Sequence, residues 1–534
     1  MVRVLDRASH VRLPIEPKIW LSFHVLQRSK RRPIVACQPS PLSMARFAKY
    51  IVSTLVVSNL LSNVSSVSAF SSSLLTVNQF RRHQQQPFVP MDPLSNAIRL
   101  RGGGPDPTTT PAVTTTRPAT AASDADPAAK SKQQRVRLTA FDSMRFFLIM
   151  TIVLGHFIKF ANPSDFIFRL LSQHNASVGA FFALSGYVTA YTSTENAQRA
   201  ASSKFLSTPK QEWTMNKIFG YLPLHLFVLA IFSPMFLFVD LTYNGWPTAL
   251  WNAFLSITLL QAWFPGNAEI WNAPTWFLSA LNAITAIIPF GLPSIAKMSK
   301  PQLRKTGFWL FLAYFLPKLG LAYDLKTWRL FEGVANSHPN LYAFNLHRFF
   351  PLFNVAEVFL GMIACRLVML DGAAGEKEDA PKTNALSTTL PFVGIVGLTY
   401  ARATMPGLDV SDMLIRSLIY VPLFLKFLMA AHRNTVRGKS VTDPLLRILS
   451  QPLLVALGNL SFPIYIVHGP IGQIFFKKLV AKKLFGQVLT GPTNFGIYLS
   501  VTLAAAYALQ KGFLQNEAVT EWSKSTCSKL AKWM

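Results

Sequence analysis

The residues best suited to chemistry stand in "FDSMRFFLIMTIVLGHF", residues 141–157. An otherwise apolar helix there carries Asp142, Arg145 and His156. Ionisable groups are costly in hydrocarbon and mark pockets or pathways. At about 100° and about 1.5 Å per residue, Arg145 and His156 share one face, about 16 Å apart along the axis. Asp142 falls within about 40° of the same stripe. Phe146, Leu148, Ile152 and Val153 are expected on the other faces. A cation at the edge suits a phosphate-bearing ligand. A histidine at depth suits proton transfer, because its pKa lies near neutrality. The plainer reading is a structural Asp–Arg pair with a satisfied core histidine.

Three further segments favour a pocket. "LVALGNLSFPIYIVHGP" (454–470) places Ser461, Tyr465 and His468 at i, i+4 and i+7, one helical face. Its Pro463 and Pro470 are expected to open the local backbone hydrogen bonding. "SVGAFFALSGYVTAY" (177–191) puts Ser185, Gly186 and Tyr187 inside an apolar run. Small residues there also serve plain helix packing. "APTWFLSALNAITAIIPF" (273–290) opens with Pro274 and Trp276, and an interfacial anchor explains that tryptophan equally well.

The elements that must hold these residues are membrane helices. The chain has 534 residues, half of them hydrophobic and only 14% charged, with a mean hydropathy of +0.29. Soluble domains carry roughly 25% charged residues. The fold class expected is all-α, a polytopic membrane helix bundle with about ten transmembrane helices and a disordered N-terminal region. Spans are placed near 146–162, 176–193, 219–239, 276–295, 307–323, 352–370, 388–403, 412–431, 453–475 and 493–513. The apolar stretch 249–264 is read as re-entrant or interfacial.

Loop charge supports that choice. The net charge of +28 does not indicate a nucleic-acid partner, because the basic residues lie in the N-terminal tail and in short loops. Clusters at 130–137, 199–217, 297–305 and 433–447 fall on one side only if 249–264 does not cross. Lys477, Lys478, Lys482 and Lys483 then fall on the other side. Cys37, Cys365 and Cys527 are far apart and form no CxxC, so neither a disulfide framework nor a zinc site is indicated.

Domain boundaries follow composition. Residues 1–70 are a leader, with a signal-like segment from Met44, which reads as the start. A secretory signal and a bipartite plastid leader both fit it, so the membrane is endomembrane (ER or Golgi) or plastid. Residues 71–136 form a Pro-, Thr-, Ala- and Gly-rich linker, expected to be disordered. Residues 137–515 form the membrane domain, and 516–534 a basic tail.

Taken in order, these segments resemble the acyltransferase-3 family of multi-span membrane acyltransferases, over roughly 137–515. The resemblance rests on Asp142, Arg145 and His156; on Phe181, Phe182, Ser185, Gly186 and Tyr187; and on Trp276, Leu278 and Ser279. It continues with Glu357, Gly361 and Met362 in "AEVFLGMIACRL", then with Gly458, Ser461, Phe462, Tyr465 and His468. Two positions depart from the family pattern. Gly220 and Leu222 stand where the family often has Arg and Tyr, leaving Lys217 as the candidate cation. Leu281 stands where a Glu is frequent.

The resemblance implies transfer of an acyl group, usually acetyl, from acyl-coenzyme A to a hydroxyl of a carbohydrate or lipid-linked acceptor. No permanently bound cofactor and no metal are implied; acyl-coenzyme A is a co-substrate, and the lipid bilayer is the standing partner. His156, Arg145 and Asp142 would be catalytic, with His156 as base or acyl carrier and Asp142 holding Arg145. Ser185, Gly186, Tyr187, Lys217, Trp276, Ser279, Glu357, Ser461, Tyr465 and His468 would bind donor or substrate. A proton-coupled transporter is the alternative, since intramembrane His and Asp also serve proton relays. Transporters often show internal repeats, and none is found between the halves. A non-catalytic scaffold is a third reading.

Overall fold

The computed structural model describes residues 135–195, 201–326, 338–373, 386–408, 410–439 and 442–533. The leader and the linker up to residue 134 lie outside them. The described residues are helical, and the sole β contact among them is an isolated bridge between Thr194 and Ala201.

The main helices are α1 (Thr139–Phe157), α2 (Asn175–Ser193), α3 (Lys210–Ile218), α4 (Leu222–Tyr243), α5 (Gly245–Thr258), α6 (Trp276–Lys297), α7 (Lys300–Asp324) and α8 (Leu341–Phe349). They continue with α9 (Pro351–Ala373), α10 (Leu386–Thr404), α11 (Val421–Val436), α12 (Pro452–Asn459), α13 (Ser461–Phe476), α14 (Lys478–Phe485), α15 (Pro492–Leu509) and α16 (Glu517–Trp533). Every span expected from sequence falls on helix. Among the described residues six helical runs are long and apolar enough to cross a membrane, or seven if α12 and α13 count as one bent span. The helices α2, α7 and α10 are outside that set.

The bend between α12 and α13 is 54° and falls at Leu460, before Pro463 rather than at it. Pro463 occupies the first turn of α13, where a missing N–H costs nothing. The expectation that Pro463 would open the backbone is corrected accordingly.

Helices α2 and α9 meet closely, and two glycines explain how. A Cβ on Gly186 would strike the Val358 carbonyl, and one on Gly361 would strike the Ala183 carbonyl. Membrane helices associate by such backbone approach, because hydrocarbon supplies little hydrophobic drive between them. Beside the crossing lies a buried ion pair. Arg416 Nε donates to Glu357 Oε1 at 2.8 Å, and Tyr314 also donates to that carboxylate. Arg416 further reaches Asn354 and Asn175.

The segment 249–264 forms most of α5 and the turn after it. Fourteen residues of helix span about 21 Å, short of a hydrocarbon core of about 30 Å. The chain leaves α5 at Leu259, in a left-handed conformation, and runs irregularly to Trp271. Irregular backbone that is buried must find partners for its polar groups. Here Ala262 N–H goes to Ser279 Oγ at 3.0 Å, and Gln473 donates to the Trp271 carbonyl at 2.6 Å. Asp240 accepts from Trp271 Nε1 at 2.7 Å and from Asn252 at 2.9 Å.

The basic clusters gather at one end of the bundle. Asp371, at the end of α9, pairs with Lys300 and with Arg433, each at 2.8 Å. Arg135 donates to the Thr194 carbonyl at 2.6 Å, while Arg366 reaches the Ala296 carbonyl at 3.1 Å and Thr194 Oγ1 at 3.0 Å. The lysines at 477–483 are at the other end: Gly491 N–H donates to the Phe160 carbonyl, just past α1, at 2.7 Å. Their helix, α14, has eight residues and cannot cross. The expected basic tail is α16, which rests on α3 with Cys527 Sγ 3.2 Å from Asn216 Oδ1.

Candidate active site

A cavity of about 180 Å³ lies between α1, α2, α6 and α13. Its wall runs along α1 from Arg145 through Ile152 to His156. Ile152, expected on an opposite face, is seven steps past Arg145; at about 100° per residue that is within about 20° of the same stripe. Helix α2 runs antiparallel beside it and contributes Ser185 and Thr189 toward the Arg145 end, and Asn175 toward the His156 end. Between the ends the wall is apolar, with Phe181, Leu184, Phe277 and Leu281.

The Arg145 end is cationic. Arg145 Nη1 donates to Asp142 Oδ1 at 2.9 Å, and Asp142 Oδ2 also takes Arg137 at 3.0 Å. Asp142 therefore orients Arg145 from behind the wall and does not itself line the cavity. Lys217 of α3 joins the lining with its ammonium 5.6 Å from the Trp213 ring centroid. Gly458 brings α12 against the Asp142 backbone, because a Cβ there would strike the Asp142 carbonyl. That contact sets α12 and α13 alongside α1, level for level.

The same registry brings two histidines together at depth. His156 Nδ1 is 3.1 Å from His468 Nε2, and the rings stack at 5.3 Å between centroids. His468 Nδ1 lies 2.7 Å from the Tyr465 carbonyl, which can only accept. In the neutral imidazole pair, His468 thus carries its proton on Nδ1 and accepts on Nε2. His156 must then donate from Nδ1, leaving Nε2 as a lone pair. A third imidazole, His174, stands edge-on to His156 at 4.8 Å. Gly155 makes room for it, since a Cβ there would overlap the His174 ring.

Of the residues singled out in sequence, Arg145, His156, Ser185, Lys217, Trp276, Ser461 and Tyr465 share this wall. His468 touches it through His156. Gly186, Tyr187, Ser279 and Glu357 stand outside it. Gly186 is spent on the α9 contact, and the Tyr187 hydroxyl meets His432 Nδ1 at 3.0 Å. Ser279 Oγ accepts the Ala262 N–H, and Glu357 holds Arg416. Sequence reasoning missed His174, Asn175, Trp213, Tyr221 and Arg348 in the wall. A histidine in "SQHNAS" at the mouth of a span was a signal for the first. Among the described residues no cluster of three or more His, Cys, Asp or Glu is placed to hold a metal ion.

Residues 138–511 match the family model described as an acyltransferase domain, acyltransferase-3. The chain belongs to the acyltransferase-3 family. No curated protein and no solved structure matches it. The match covers well over half of the chain, and its limits enclose every helix of the cavity wall. The protein is thus a membrane acyltransferase, and the cavity with its paired histidines lies within the matched domain.

Proposed function

We propose that this acyltransferase moves an acyl group, acetyl by preference, from acyl-coenzyme A to a hydroxyl of a carbohydrate or lipid-linked acceptor. The observation that carries the reading is the His156–His468 pair, which leaves His156 Nε2 as a base at the far end of a cavity from Arg145 and Lys217. Arg145 and Lys217 would hold donor phosphates, the groups for which cations are best suited. The apolar wall between suits the donor's thioester arm. The acceptor hydroxyl gives its proton to His156 Nε2 while its oxygen attacks the thioester carbonyl. The carbon–sulfur bond then breaks, and the thiolate leaves with that proton from His156. The products are the acyl ester and coenzyme A.

In this reading the end carrying the basic clusters is cytoplasmic, as loop charge favours. The ten spans expected from sequence would cross an endomembrane or plastid membrane, with α5 dipping in and returning. The test is incubation of purified protein with labelled acetyl-coenzyme A and membrane glycan extract, followed by identification of the product. An O-acetylated glycan made by wild type and lost with a folded His156→Ala supports the reading; undiminished transfer by His156→Ala sinks it. Label trapped on His156 itself would make it an acyl carrier. Solute flux in coenzyme-A-free vesicles, without any labelled product, would favour the transporter.

A further inference from the structure

The His156 end of the cavity holds a cation that acyl transfer does not use. Arg348, on α8, lines the wall together with His156, His174 and Asn175. Its protein counter-charge is weak. Arg348 Nη2 reaches Glu269 Oε1 only at 3.5 Å, whereas a charge-assisted hydrogen bond runs to about 2.7–2.9 Å. The Glu269 side chain is 41% exposed and that of Arg348 21%, so the carboxylate is the more hydrated partner. The Arg348 guanidinium otherwise lies 4.7 Å over the Phe349 ring, which offers no hydrogen bond.

The rest of the wall adds no negative charge. No Asp or Glu lines the cavity, while Arg145, Lys217, His156, His174 and Arg348 all do. His174 is nine-tenths buried, and its Nδ1 has no partner among the described residues. Helix α8 ends against α9 just where the chain turns at Phe350, so Arg348 is fixed by two helix ends rather than by a loop. A half-buried guanidinium beside two imidazoles, with its carboxylate held off, is a site for an oxyanion.

We propose that the acceptor is an anionic sugar, whose carboxylate or phosphate seats on Arg348 and so presents a neighbouring hydroxyl to His156. This rests on the acyl-transfer reading and narrows its substrate class. A neutral sugar would leave the guanidinium with only its distant carboxylate, whereas a carboxylate or phosphate can take two parallel N–H bonds from it.

The experiment offers purified full-length protein labelled acetyl-coenzyme A with methyl glucuronoside, methyl glucoside 6-phosphate or methyl glucoside. Melting of the protein with each glycoside is recorded separately, without donor. At least one anionic glycoside is expected to show a kcat/KM about tenfold or more above methyl glucoside, one charge-assisted contact's worth. Whether that glycoside is the uronate or the phosphate identifies the oxyanion. Arg348→Gln should cut kcat/KM for it about tenfold more than for methyl glucoside, with Arg348→Lys intermediate. The preferred glycoside should raise the Tm of wild type and not of Arg348→Gln. Equal use of neutral and anionic glycosides by wild type would overturn the proposal. So would an equal loss with all three in Arg348→Gln, which would instead make Arg348 a stabiliser of the reaction's own oxyanion. An Arg348-dependent Tm shift with no acetyl transfer to any of the three glycosides would leave the anion site standing and remove the acyl-transfer reading. No Tm shift and no anionic preference would remove the anion site alone.

Discussion

His156 and His468, 312 residues apart in sequence, meet through ring nitrogens at 3.1 Å. The Tyr465 carbonyl behind His468 fixes which nitrogen of each ring carries the proton. In the proposed mechanism His468 would act through His156, as a positioning residue. His468→Leu should lower kcat by about 10- to 100-fold, with the donor KM little changed. His468→Gln can still accept from His156 Nδ1 through its amide oxygen and should recover most of that loss. Steady-state kinetics on the purified variants decide this; a Gln variant as poor as Leu would show that His468 serves packing rather than tautomer.

Arg145 gives a second prediction. It lines the end of the cavity opposite His156, held from behind by Asp142 at 2.9 Å. Arg145→Ala should raise the donor KM by about tenfold, the worth of one charge-assisted contact, and move the acceptor KM much less. Asp142→Asn should show a smaller shift of the same kind, because it loosens Arg145 without removing it. A larger effect on the acceptor KM would place the donor at the other end.

How far the sequence foretold this site depends on the distance over which each feature acts. The Arg145–His156 stripe was legible because helical geometry alone decides it. Ser461 and Tyr465 were legible for the same reason. The pairing of His468 with His156 was not, since it depends on Gly458 drawing α12 against Asp142. Tyr187 and Glu357 were recognised by type, yet their direction depends on which side of α2 and α9 the glycine crossing buries. Arg348 escaped notice because it sits on a nine-residue helix ahead of an apolar span, outside any stripe. Of the ten expected spans, α2, α7 and α10 are helical as expected, but their polar residues leave them outside the apolar set.

The Glu357–Arg416 pair predicts an asymmetric response. Both side chains are almost wholly buried, at 0% and 4% exposure. Removing one partner of such a pair leaves an uncompensated charge and costs about 3–5 kcal/mol, whereas removing both is often near neutral. Glu357→Gln should therefore lower Tm more than the double variant Glu357→Gln, Arg416→Met. Fluorescence-detected size exclusion after heating measures this in detergent. A double variant less stable than either single one would contradict the account.

The α2–α9 crossing makes the last prediction, by contrast between two kinds of glycine. A Cβ at Gly361 would strike the Ala183 carbonyl, and backbone cannot swing aside as a side chain can. Gly397, inside α10, has nothing within 4 Å of the same position. Gly361→Ala should force the helices apart and cost about 1–3 kcal/mol, the usual range for overpacking. Gly397→Ala should be neutral, or stabilise by up to about 1 kcal/mol through a less flexible unfolded chain. Because α2 carries Ser185 and Asn175 in the cavity wall, Gly361→Ala should also lower acyl transfer at temperatures where the protein remains folded. Equal melting temperatures for the two variants would mean that the crossing does not depend on backbone contact at Gly361.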